Sequence, residues 1–173
     1  SDPAYLDGTL DNQYGFADNT LREIARYATK INLMTYDFYG PFNHSSDQGV
    51  TTGFLTNLTI PENAPASYRF SIENSVKAAL KAGVSPWQLS IVIPAYGRAL
   101  AGISNENGGL FSPISILATI PRGDLDTVNC RTRISPIKFN SCSGSFQYKY
   151  ILSKMLDHGL TAIDHQNNNI IIG

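Results

Sequence analysis

Charge is what this sequence has least of: Lys, Arg, Asp and Glu make up only 16% of 173 residues, and the formal net charge is −1. So small a charge excludes the electrostatic footprint by which proteins hold nucleic acid or an anionic membrane surface. Clustered cations are missing too, the densest positive stretch being Arg131 and Arg133. Long hydrophobic runs are absent: no segment approaches about 18 consecutive apolar residues, so no membrane-spanning helix is expected. The opening stretch SDPAYLDGTLDNQYGF has no basic region ahead of an apolar core, so no signal peptide is read there. A trimmed mature chain would look the same.

Cysteine is scarce. Cys130 and Cys142 are the only two, set in a Gly/Ser/Asn-rich stretch. A disulfide closing a short loop, which implies an oxidising compartment, and two reduced thiols stand equally open. A metal site is not expected, because two cysteines without paired histidines nearby do not make a tetrahedral set. His44 and His158 read as surface residues. Asn43-His44-Ser45 and Asn57-Leu58-Thr59 match the glycosylation acceptor pattern, which is common by chance.

What is present describes a folded protein with a sizeable core, hydrophobic residues making up 42% of the chain. Nine Tyr and eight Phe beside many Asn and Gly suit an uncharged hydroxyl-rich ligand such as a sugar. Rings stack on its apolar faces while amides and phenols bond its hydroxyls.

Asn19 to Lys30 reads as a helix, with Thr20 and Glu23 in capping-box positions and Leu21, Ile24, Ala25 and Ala28 on one face. INLMTY (31–36) follows as a short strand, and a Gly- and Pro-containing loop leaves it. Ser71 opens a second helix whose buried stripe is Ile72, Val76, Ala79 and Leu80, ended near Gly83. QLSIVIPAY is the second strand, stopped by Pro94. This helix–strand–helix–strand order predicts parallel strands covered by helices, as a doubly wound sheet or a TIM barrel would have. From Gly97 the style changes to short segments broken by Gly and Pro. A helix is predicted over 146–158 with Tyr148, Ile151, Leu152, Met155 and Leu156 inward. Strands are predicted at 161–164 and 169–172.

In parallel α/β architectures, ligands meet the C-terminal ends of the strands. Met34-Thr35-Tyr36-Asp37-Phe38 and Pro94-Ala95-Tyr96-Gly97-Arg98 fall there. Alternation puts Asn32, Met34 and Tyr36 on one face and Leu33 and Thr35 on the other. Half-buried aromatics, a turn-capping Asp37 and a structural Arg98 would explain the same residues without a ligand.

INLMTYDFYG resembles the sixth-strand signature of family 18 glycoside hydrolases, with its Met-x-Tyr-Asp core. IVIPAYGRAL is similar to their seventh-strand segment. The helix before it, with KAALKAGVSPWQLS, and FQYKYILSKMLDHGLTAID after it extend the likeness over roughly residues 20–170. The resemblance, closest to chitinase A-like members, implies a partial TIM barrel over 1–98 and an α+β insertion over 99–173. It further implies that Tyr36 meets the acetamido group of the sugar and that Asp37 beside it holds substrate. Met34, Phe38, Tyr96 and Arg98 would contact the sugar chain. Chitin or a chito-oligosaccharide is the implied partner, no cofactor is required, and a secreted location follows from such a substrate.

Three departures qualify the likeness. The family's acid-bearing string Asp-x-x-Asp-x-Asp-x-Glu is not found, Asp124-Leu125-Asp126 being the nearest fragment. The eighth strand with its cleft tryptophan is absent. Leu100 stands where many members carry an aromatic. The expectation is therefore a chitinase whose remaining N-terminal barrel segment and strand eight lie outside these residues, the chain alone being inactive. An endo-β-N-acetylglucosaminidase and a non-hydrolytic chitin-binding relative are the alternatives.

Overall fold

The structure, a computed structural model, describes residues 20–40, 51–65, 68, 70–104, 106–114, 118–130, 142–158, 161–164 and 169–172. Their elements in chain order are α1 (Thr20–Tyr27), β1 (Ile31–Met34), α2 (Ile72–Lys81), β2 (Leu89–Val92), β3 (Tyr96–Arg98), β4 (Ser145–Gln147), α3 (Tyr148–His158), β5 (Thr161–Asp164) and β6 (Asn169–Ile172). Two compact units result, one holding the described residues of 1–38 and 56–94, the other those of 39–55 and 95–173. The sequence pattern divides the chain after Arg98, whereas the contacts divide it after Pro94. The reason is local: Tyr96–Arg98 pairs with Ser145–Gln147, not with the first two strands. No helix among the described residues is long and apolar enough to cross a membrane.

The first unit is an open β/α arrangement. β1 and β2 run parallel, with Ile31 opposite Leu89 and Met34 opposite Val92. Its core is Leu33, Ala79 and Val84, each no more than 3% exposed, packed by Leu21, Ala25, Ile31, Val76 and Leu89. The helical ends explain how the chain turns into the strands. Ser71 caps α2, its side chain accepting from Asn74 N at 3.1 Å. At the other end Gly83 takes φ +92°, and Val84 N bonds Ala79 O while Gly83 N bonds Leu80 O. This paired closure needs a residue without Cβ strain at the left-handed position. α1 stops at Tyr27, three residues earlier than its apolar spacing predicts. Gln88 Nε2 holds the Ala25 and Ala28 carbonyls at 2.6 and 2.7 Å, ending the helix where β1 must begin.

Two positions of the predicted stripes are not buried. Ile24 is 47% exposed and Leu80 40%. A two-stranded sheet covers only part of each helix, and the flank beyond it stays open. Asn57 is 7% exposed, and its amide donates to Thr59 O and Phe70 O while its oxygen accepts from the Tyr68 hydroxyl. The Asn57 match to the glycosylation pattern is thus a chance one, because its amide nitrogen is buried and engaged. Asn43 and His44 lie outside the described residues, as does the His158 side chain.

In the second unit the described strands are short. β3 and β4 pair antiparallel, as do β5 and β6, all strands of three or four residues. Ala118, Ile120 and Cys142 form its core, with Leu100, Ile103, Ile114 and Cys130 packed against them. Cys130 and Cys142 are joined as a disulfide. Phe146 and Gln147, predicted as the start of a helix, are extended because they ladder with β3. Tyr148 N then bonds Ala95 O at 3.0 Å, so α3 starts only there. Tyr148 is 60% exposed and Leu152 36%, so these two do not face inward as their spacing predicts; Ile151 turns toward Gly97 instead.

Candidate functional site

In the first unit the candidate residues gather where β1 ends. Thr35 is wholly buried, and its hydroxyl donates to Val92 O at 3.2 Å, clamping the C-terminal ends of the two parallel strands. Its carbonyl accepts from the Thr56 hydroxyl at 2.7 Å. With Leu33 and Thr35 turned inward, alternation sends Met34 to the opposite face, where it is 57% exposed. Tyr36, next in that alternation, is half-buried. Asp37 then leaves the strand at φ +55°, a left-handed conformation that Asp tolerates better than most residues. Backbone outliers of this kind cluster at ligand sites. Phe38 is only 4% exposed and stacks on Phe70 at a centroid distance of 5.9 Å. Its ring is engaged in packing.

Tyr96 and Arg98 belong to the second unit, on β3. Two residues apart on a strand, they share a face, and the Arg98 guanidinium carbon lies 5.5 Å from the Tyr96 ring centroid. Arg98 Nη1 donates to Ser143 O at 3.1 Å. The guanidinium lines a concave cavity of about 350 Å³ together with Tyr39, Leu55, Leu100, Thr52 and Ser104. Among the described residues, its lining combines the Tyr39 ring, the Thr52 and Ser104 hydroxyls, the aliphatic Leu55, Leu100 and Ile103, several glycines and Arg98.

Sequence reading missed Tyr39, Thr52 and Ser104 as cavity residues. The available signal was the cluster Gly102, Gly108 and Gly109. All three adopt positive φ, and backbone there curves round the cavity where a side chain would fill it. Thr52 is tied in by accepting from Ser112 N at 3.0 Å and donating to Gly109 O. The fragment Asp124-Leu125-Asp126 has a structural role. Asp124 accepts from Gln147 N, and Asp126 from Gly123 N and Ser143 N. Burial pushes the Asp126 carboxyl up, but hydrogen bonds from Gly123, Ser143 and Gly144 outweigh it and hold the carboxyl below its ordinary value. Asp126 lies beside Cys130 and Cys142, but the bridged sulfurs offer no thiolate to a metal.

The parallel β/α unit is a small open arrangement, consistent with a fragment of a larger barrel fold. A sequence model of glycosyl hydrolases family 18 matches residues 7–170, and the chain belongs to that family. A Drosophila melanogaster protein named "Probable chitinase 2" is 31% identical over 85 residues, 49% of this chain and 16% of that protein. Among solved structures, the Group IV chitinase of Ostrinia furnacalis in complex with allosamidin is similar at TM-score 0.61 and 22% identity, covering 87% of this chain and 36% of that one. A mutant Class V chitinase of Nicotiana tobaccum in complex with NAG4 is similar at TM-score 0.54 and 23% identity, covering 83% and 34%. This chain thus spans about a third or less of the length of these proteins.

Proposed function

We propose that the protein containing this chain is a chitinase that hydrolyses β-1,4 linkages between N-acetylglucosamine units by substrate-assisted catalysis. The observation that carries this reading is the pair Tyr36 and Asp37 at the C-terminal end of a parallel strand, in a chain of family 18. The tobacco relative, solved with NAG4, supports the substrate class.

In this mechanism the N-acetyl carbonyl oxygen attacks the anomeric carbon of its own sugar. The glycosidic bond to the leaving oxygen breaks, and that oxygen takes a proton from a general acid. Water then opens the resulting oxazolinium, restoring the acetamido group. The acid is a Glu outside this chain. Tyr36 directs its hydroxyl at the acetamido carbonyl and so orients the nucleophile, while Asp37 holds substrate hydroxyls. Met34 lies under the same sugar. On the second unit, Tyr96 and Arg98 bind sugar hydroxyls and faces. The Cys130–Cys142 bridge supports an extracellular location, since such bonds persist in oxidising compartments.

Tyr36→Phe in the complete protein tests the reading. It removes one hydroxyl, and turnover of chito-oligosaccharides should fall by about ten- to a hundredfold with the circular dichroism spectrum unchanged. Unchanged turnover would refute the assignment.

A further inference from the structure

The cation at the second unit's cavity is held through a chain of bonds that reaches back to a carboxylate and a disulfide. Arg98 Nη1 donates to the carbonyl of Ser143 at 3.1 Å. That same residue's N–H donates to Asp126 Oδ2 at 2.8 Å, and Gly123 N donates to the same oxygen at 2.7 Å. Directly before Ser143 stands Cys142, 3% exposed and bridged to Cys130. Directly after it Gly144 takes φ +61° and accepts from Ala99 N at 2.8 Å. Residue 143 is therefore fixed on three sides, and its carbonyl has one direction available to it.

The loop that carries Asp126 is itself seated on β4. Asp124 N donates to Ser145 O, and the Asp124 carboxylate accepts from Gln147 N. A Cβ at Gly123 would lie 2.0 Å from Ser145 O, so the loop approaches the strand as closely as glycine alone permits. These contacts all lie within one unit, and none of the residues except Arg98 lines the cavity.

We propose that Asp126 is a positioning residue for Arg98: by holding the Ser143 backbone it aims the Ser143 carbonyl that orients the guanidinium at the cavity. The inference rests on Arg98 being a substrate contact and assigns how that contact is kept in place. The Gly144 N–H, in the same peptide plane as the Ser143 carbonyl, also bonds the Asp126 carboxyl, so without that carboxylate the peptides on both sides of residue 143 can rotate and the guanidinium loses its anchor without leaving the cavity. Substrate then binds more weakly, while the chemistry at Tyr36 is untouched. The signature is a change in KM with kcat preserved.

A double-mutant cycle in the complete protein reads this directly. Asp126→Ala should raise KM for a chito-oligosaccharide by about fivefold with kcat within about twofold, and should add nothing once Arg98→Ala is present. Asp126→Asn, which keeps an acceptor oxygen, should recover part of the loss and covers the case in which the alanine variant does not fold. In parallel, the Arg98 Nε–H resonance should move in either Asp126 variant. Should Arg98→Ala raise KM while the Asp126 variants move neither KM nor that resonance, the inference falls and the role of Arg98 stands. An equal Asp126 effect in both backgrounds overturns it as well. If Arg98→Ala leaves KM unchanged, the substrate role of Arg98 falls, and the resonance alone decides whether Asp126 positions it.

Discussion

The two units are held together by different physics. In the first, a few apolar residues do most of the work: Leu33 on β1, Ala79 on α2 and Val84 just beyond it are buried together. The second has an apolar core of its own, and adds to it a disulfide and carboxylates spent on backbone N–H groups. Periodic burial tolerates imprecision, since neighbouring apolar side chains can readjust. Point-to-point bonding does not.

The sharpest way to break this contrast is to remove the core of the first unit. Leu33→Ala deletes a side chain 2% exposed and should cost about 2–5 kcal/mol. Amide exchange should accelerate over Ala79–Val84 while Tyr96–Arg98 keeps its protection. Equal acceleration in both places would show one cooperative structure, and the distinction between units would lose its meaning.

Reducing the Cys130–Cys142 bridge tests the other side. The bridge links residues 12 apart, and opening so short a loop should destabilise the second unit by about 2–3 kcal/mol. The loss should show as faster exchange at Ala99 and Ala101 with the first unit unaffected. Two added hydrogens in the intact mass would confirm that the bond was broken. No change in exchange at those amides would mean that the carboxylate contacts suffice.

How much of this was legible in the sequence follows the same division. The parallel strands and the Ser71-to-Gly83 helix were readable, because apolar period, a capping serine and a terminal glycine all report local geometry. Strands at 161–164 and 169–172 were readable from their apolar runs. Tyr36 and Asp37 were singled out by a motif, and the left-handed backbone at Asp37 adds a feature that no motif states. The cavity was not readable. Thr52 and Gly109 meet across 57 residues, and no period or local pattern encodes a bond at that distance. Phe146 and Gln147 misled for a related reason. The helical pattern that begins at Tyr148 runs back over them, but the strand Tyr96–Arg98 claims their backbone.

The smallest effect expected comes from protons on Asp126. Its carboxyl is held below the ordinary carboxylate value of about 3.9, so the folded chain binds that proton less tightly than the unfolded one does. The sign follows: the contribution of Asp126 is fully present above the unfolded value and fades as pH falls through the lower, folded value. Between pH 7 and 5 the second unit should therefore be indifferent to acid on account of this group. Below about pH 4 it should lose stability in a step that Asp126→Asn abolishes. Parallel urea melts of the two proteins, followed at an amide of β3, measure the difference. An acid step that survives the substitution would assign it to another carboxylate and leave Asp126 a neutral participant. Its disappearance would tie the order of the second unit to one negative charge, a dependence that the apolar core of the first unit does not share.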